Sequence, residues 1–170
     1  MFRRLVVCSL IGMGLSWASS GNSQTVVAIG VGSLGTSLEA TVPVRIAGTT
    51  PLTALNIRLR FDPAVLTLVR VGRGPMLAPT HQLYYLAPPG AGGQLNIVTY
   101  SPIRAPFTAP SGTVVELIFR ARRAPAGSSS QIMFDAPSPS RLPSSDLSDA
   151  EGRSISHLRL NGSAAIPLRR

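Results

Sequence analysis

Over most of the chain, apolar side chains recur at every second position, the period of a strand with one buried face. In Glu39–Ile46, Ala40, Val42, Val44 and Ile46 share one face, while Glu39, Thr41 and Arg45 share the other. Ala54–Phe61 sets Leu55, Ile57, Leu59 and Phe61 against Asn56, Arg58 and Arg60. Gln94–Tyr100 sets Leu95, Ile97 and Thr99 against Asn96, Val98 and Tyr100, and Thr113–Arg122 sets Val115, Leu117, Phe119 and Ala121 against Glu116, Ile118, Arg120 and Arg122. Shorter segments of the same kind are Thr25–Val31, Val65–Val71, Leu83–Leu86, Gln131–Phe134, Ile155–Leu160 and Ala164–Leu168. None of this part of the chain holds a helical period.

Turn formers stand between these segments: Gly48–Pro51, Asp62-Pro63, Gly72–Pro75, Pro88–Gly93, Pro102–Gly112, Pro125–Ser130 and Pro137–Ser145. Short strands with one apolar face each, punctuated in this way, predict an all-β fold, a two-sheet antiparallel β-sandwich. Proline fixes φ and keeps the preceding residue extended, so Asp62-Pro63 closes the strongest strand with a turn. Pro43 inside a strand removes a ladder donor and predicts an edge strand or a bulge there. Ala136–Ser145 is Pro/Ser-rich but precedes two further apolar segments, which makes it a surface loop within one domain rather than a linker.

The first residues follow another pattern. Arg3 and Arg4 precede an uncharged apolar run, Leu5–Leu15, and then Ser16, Trp17 and Ala18. A basic start, a short apolar stretch and a small-x-small exit describe a secretory signal peptide. The run is too short to span a bilayer, so no membrane span is expected in the mature chain. Cleavage is placed after Ala18, with Ser20 as second choice. That gives a signal peptide at 1–18, a short N-terminal segment at 19–24, a domain at 25–168 and a secreted, extracellular or periplasmic location. Val7 is too bulky for the position before a lipidated Cys8, and the apolar run lies mostly after it. The chain's one Cys and one Trp leave with the peptide, which excludes disulfides and thiolate metal sites from the mature protein.

Charge looks at first like a nucleic-acid signal: 16 basic residues against 7 acids in 170, a net +9, with every basic residue an arginine. Two arginines belong to the signal peptide, leaving 14 against 7, or +7. Much of the remainder alternates with apolar residues on strands, as solvent faces do. Clustered bases interleaved with stacking aromatics are missing, so no nucleic-acid partner is expected.

Four stretches together resemble the cohesin domain, the receptor module of cellulosome scaffolds. Thr41–Ile46 is similar to its early strand with an embedded proline, and Leu52–Leu66 to its alternating strand closed by an aromatic-Asp-Pro turn. Gly112–Phe119 resembles its late core strand, and Leu147–Gly152 with Asn161–Ile166 its closing loop and final strand. The order and spacing agree over about residues 25–167. The resemblance implies a nine-stranded jelly-roll sandwich without catalysis, one sheet face of which binds a dockerin. On that face it places Asn56, Arg58, Arg60, Asn96 and Tyr100, with Tyr84 or Tyr85. Paired arginines and the proline-rich Pro102–Pro110 segment depart from the family pattern. The arginines point to an acidic protein partner, dockerin-like or other, in polysaccharide degradation or envelope assembly.

Other chemistry is sparse. His81 and His157 lack metal-ligand spacing and read as surface or turn residues. Asp146, Asp149 and Glu151 near Gly152 offer oxygen ligands but not the EF-hand ladder, so no cofactor is expected beyond a weak calcium site. There is no Gly-x-Ser-x-Gly elbow; Asp62 suits its turn and Glu116 an outward strand position, so no enzyme is expected. The alternative is a carbohydrate-binding module gripping polysaccharide through exposed aromatics, for which three tyrosines are a thin supply.

Overall fold

A computed structural model describes residues 24–33, 39–88, 92–122, 129–135 and 145–165. The proposed signal peptide, most of the Ala136–Ser145 loop and the end of the last expected strand lie outside the described residues. Every regular element described is a strand: β1 Thr25–Ile29, β2 Val31–Ser33, β3 Glu39–Ala47, β4 Ala54–Arg60, β5 Leu66–Arg73, β6 Gln82–Leu86, β7 Gln94–Tyr100, β8 Ser111–Ala121, β9 Ser129–Phe134, β10 Ser145–Ser148, β11 His157–Leu160 and β12 Gly162–Ala165. No helix among the described residues is long and apolar enough to cross a membrane.

The strands form two sheets, one ordered β11-β1-β3-β8-β5 and the other β2-β12-β9-β4-β7-β6, with β10 also on β4. Their inner faces share one core. Val42, Val44 and Ile46 from β3 and Val115, Leu117 and Phe119 from β8 meet Leu55, Ile57 and Leu59 from β4 and Leu95 and Ile97 from β7. Each of these side chains is buried, and a fully buried Leu, Ile or Phe contributes about 1.5–3 kcal/mol. The period-two pattern therefore does what the sequence predicts: it turns one face of each strand into core.

Two expectations are corrected. The sheets are mixed rather than antiparallel, because the first and last described strands run side by side. The N-terminal strand changes sheet at Gly30, between β1 and β2, and the C-terminal strand changes at Asn161, between β11 and β12. β1 pairs β11 in parallel, and β2 pairs β12 in parallel. At the crossing Ser163 N–H donates to Gly30 O at 3.3 Å, and a Cβ on Gly162 would stand 2.1 Å from that oxygen. Only glycine at 162 lets the two backbones approach so closely. These sheet changes, with the added β10, give twelve strand segments among the described residues where nine were expected.

Pro43 shows how a proline fits an interior strand. β3 lies between β1 and β8, so it is not an edge. Pro43 O accepts from Gly30 N–H at 2.7 Å, and the N and O of one strand residue point the same way. The missing donor thus faces β1 where that strand is leaving the sheet. A register shift sits just beyond, between Val44 and Arg45. That irregularity buries Val114 and Val115 together on β8, where simple alternation predicts only Val115.

The Asp62-Pro63 turn is built as expected. Asp62 Oδ1 accepts from Ala64 N–H at 2.8 Å, and Asp62 O accepts from Leu66 N–H at 3.0 Å. Phe61 then packs edge-on to Phe119, ring centres 5.0 Å apart.

Candidate functional site

The outward positions of β4, β7 and β6 form a ruled surface, because antiparallel partners share a face. Arg58 lies opposite Asn96, which lies opposite Leu86. In the next row Asp146 of β10, Asn56, Val98 and Tyr84 stand side by side, and then Ser148, Ala54, Tyr100 and Gln82. Arg60 lies opposite Gln94 on one side and Met133 of β9 on the other. The register thus gathers Asn56, Arg58, Arg60, Tyr84, Asn96 and Tyr100 on one face. Tyr85 is not among them. It pairs with buried Ile97, so it projects from the core side of β6 and is exposed only because β6 is the sheet's last strand.

One half of this face is apolar. Tyr84 is 54% exposed and Leu86 62%. The Tyr84 and Tyr100 rings stack at 6.1 Å and 13°, and the hydroxyl contact between them raises the Tyr100 phenol above its ordinary value.

The other half is polar and charge-balanced, which corrects the picture of a basic face. Asp135 follows β9, its N–H donating to Arg58 O at 2.8 Å, and its buried carboxylate is paired with the Arg60 guanidinium. Asp146 stands beside Asn56 and accepts from Ser154 Oγ at 2.5 Å. Two acids therefore accompany the two arginines. Beside Arg58 and Asp135 a hollow of about 190 Å³ opens, lined among others by Gln94, Asn96 and Leu86. The carboxamide oxygens of Asn56 and Asn96 are enclosed without a hydrogen-bond partner among the described residues.

Sequence reasoning missed Asp135, Val98 and Leu86 as members of the face and weighed Asp146 only as a calcium ligand. Asp135 follows an alternating strand, but nothing local signals that its carboxylate meets a residue on β4. Val98 and Leu86 belong to the outward sets of their strands; alternation alone could have found them.

The remaining candidates resolve into structure. Asp149 is the hub of a turn: Oδ1 accepts from the N–H groups of Glu151 at 3.1 Å and Arg153 at 2.9 Å, and Oδ2 from Arg153 Nε at 2.7 Å. Desolvation pushes its carboxyl up, but the hydrogen bonds and charge of Arg153 outweigh this and hold it below the usual range. Asp146 and Glu151 make other contacts, and no cluster of three metal-ligating side chains exists among the described residues. His81 lies in a turn but is buried, not on the surface, against Phe107 at 5.1 Å. Burial lowers its pKa, with Arg73 adding to the effect, while the Ala78 and Ala105 carbonyls partly offset it. His157 Nδ1 lies 2.9 Å from Ile155 O at the start of β11.

A larger hollow, about 490 Å³, opens between Phe61, Pro63, Leu68, Gly93, Gln94 and Arg122. Among the described residues no carboxylate, histidine or thiol lines it. Arg122 there donates from Nε to Thr67 Oγ1 at 2.7 Å.

No family model matches the sequence, and no curated protein does. Solved structures do match the fold. A non-cellulosomal cohesin from the hyperthermophilic archaeon Archaeoglobus fulgidus superposes with a TM-score of 0.65 at 17% identity, covering 85% of this chain and 91% of its own. The sixth cohesin of scaffoldin B from Acetivibrio cellulolyticus, solved in complex with a mutant Cel5 dockerin, gives 0.69 at 12% identity, over 85% of this chain and 99% of its own. A type II cohesin domain from the cellulosome of the same organism gives 0.64 at 18% identity, covering 83% and 95%. The chain is a cohesin-like β-sandwich.

Proposed function

We propose that this chain is a secreted, non-catalytic module that recruits a protein partner through the outer face of β10, β4, β7 and β6. The observation that carries the reading is the division of that face: an exposed apolar half at Tyr84, Leu86 and Tyr100 beside a polar half whose charges are already matched. Protein interfaces have this composition, with aromatic anchors at the centre and polar groups around them. The fold agrees, since similar sandwiches are cohesins solved in complex with dockerins. Arg60–Asp135 and Asp146 leave no net positive field on the face, so shape and apolar contact, rather than an acidic partner surface, set the specificity. The process served is polysaccharide degradation or envelope assembly. A polysaccharide reading draws on the same two tyrosines and on nothing else on the face.

Val98 stands at the centre of the face, between Asn56 and Tyr84. Val98→Arg raises a charged arm there without touching the core. Affinity capture from the native secretome with the wild-type domain is expected to retain a protein that Val98→Arg loses. A control change on the opposite sheet, Arg70→Glu, is expected to retain it. Capture of the same protein by all three would overturn the assignment.

A further inference from the structure

His81 stands one residue before β6, the strand that carries Tyr84 and Leu86. It closes the connection Gly74–His81, which lies against the segment that follows β7. Thr108 donates to that connection twice, from N–H to Met76 O at 3.0 Å and from Oγ1 to Pro75 O at 3.1 Å. Phe107 beside it is fixed by its own N–H, which donates to Leu52 O at 2.7 Å, and its ring stands 5.1 Å from that of His81. The backbone of the turn is tied down as well. His81 N–H donates to Ala78 O at 2.9 Å, and Arg73, at the end of β5, donates to His81 O at 2.8 Å and to Ala78 O at 2.6 Å. His81 is left 1% exposed.

A proton on this ring meets no anion. Residues 74–80 carry no charged side chain, residues 48–53 carry none, and residues 101–110 carry only Arg104. β6 and β7 are uncharged, their titratable groups being the phenols of Tyr84, Tyr85 and Tyr100. Glu116 of β8 pairs with Gly72 and stands on the outer face of the first sheet. The charge that acts on the ring is the Arg73 guanidinium, of the same sign, and its acceptors are the neutral carbonyls of Ala78 and Ala105. A buried cation without a counter-charge is costly, so a protonated ring gains by moving to water.

What the ring holds in place is the start of β6. This strand ends its sheet and pairs with β7 alone, Gln82 opposite Tyr100, whose ring stacks on Tyr84. We infer that His81 is a pH-sensitive latch: neutral, it pins the start of β6 against Phe107; protonated, it leaves its enclosure and frees that end of β6 with the apolar half of the partner-binding face. The regulatory role rests on the docking reading above, whereas the latch itself does not. An opened ring takes up its proton with the ordinary histidine pKa, so opening gains ground as pH falls through about 6.5. Between about pH 7.5 and about pH 5.5 the opened population grows by about tenfold if the enclosed ring stays neutral.

Hydrogen exchange of the purified protein reads the latch without a partner. Protection factors, which remove the intrinsic pH dependence of exchange, are expected to fall about tenfold for the β6 amides between about pH 7.5 and about pH 5.5, staying below those of β3 and β8 throughout. His157→Gln, which removes the chain's other imidazole, is expected to keep that fall. His81→Phe and His81→Gln, neither of which titrates, are each expected to abolish it. Capture from the secretome at the same two pH values ties the latch to docking: the wild type is expected to release at the lower pH a protein that the His81 variants retain. Three exchange results would overturn the latch: β6 protection indifferent to pH, a fall that survives in both His81 variants, or β6 protection equal to that of β3 and β8, meaning that β6 opens only with the whole domain. Equal capture by the wild type at both pH values would overturn the regulatory role. Capture of no protein at either pH would instead count against the docking reading, with the latch still decided by exchange.

Discussion

His81 carries a consequence for stability that its place in the sequence does not advertise. Its ring is buried against Phe107, and its pKa in the fold lies below the unfolded value of 6.5. Below 6.5 the unfolded chain takes up a proton that the folded chain resists, so unfolding gains ground as pH falls through that value. The melting temperature of the wild type should therefore drop between about pH 7 and pH 5, while His81→Phe, which cannot titrate, should stay level over that window. Calorimetry across the range checks it; parallel curves would refute it. Asp149 acts lower. Its pKa is depressed below 3.8, so its stabilisation is complete above that value and is lost as pH falls through the folded pKa. Asp149→Asn should lower the melting temperature at neutral pH and flatten the acid limb, measured by the same scans. Neither role was legible in the sequence, because both depend on what a distant or turning backbone brings to a side chain.

At the scale of elements, alternation located most of the strands, since each central strand needs an apolar face on the core. Ala54–Arg60 and Gln94–Tyr100 agree with the sequence reading almost residue for residue. The exceptions have causes. Ser145–Ser148 holds Leu147 as its one buried apolar residue and follows a Pro/Ser-rich stretch, so periodicity gave it no signal. Thr25–Val31 reads as one strand because its alternation continues through Gly30, whereas the chain changes sheet there. The parallel pairing of the first and last described strands depends on that change and on Gly162. Gly162→Ala would drive a methyl group against Gly30 O and is expected to destabilise the protein by about 1–3 kcal/mol, the usual cost of overpacking. Urea titration measures it, and a midpoint unchanged from wild type would show that the crossing is looser than described.

For the whole molecule, the sequence indicated which strands carry the candidate face but not what the face is. Asn56, Arg58, Arg60, Asn96 and Tyr100 were legible because alternation assigns outward positions. Tyr84 and Tyr85 could not be separated without the register of β6 on β7. The charge of the face was misread because Asp135 and Asp146 reach it from β9 and β10, whose positions beside β4 no local pattern shows. Two missing carboxylates turned a balanced surface into an apparently basic one. With them in place, the proposed protein partner is expected to dock on this face through its apolar half. Hydrogen exchange of the domain with and without its captured partner measures where it docks. Protection concentrated in β4, β7 and β6 is the predicted result; protection confined to β1, β3, β8 and β5 would contradict it.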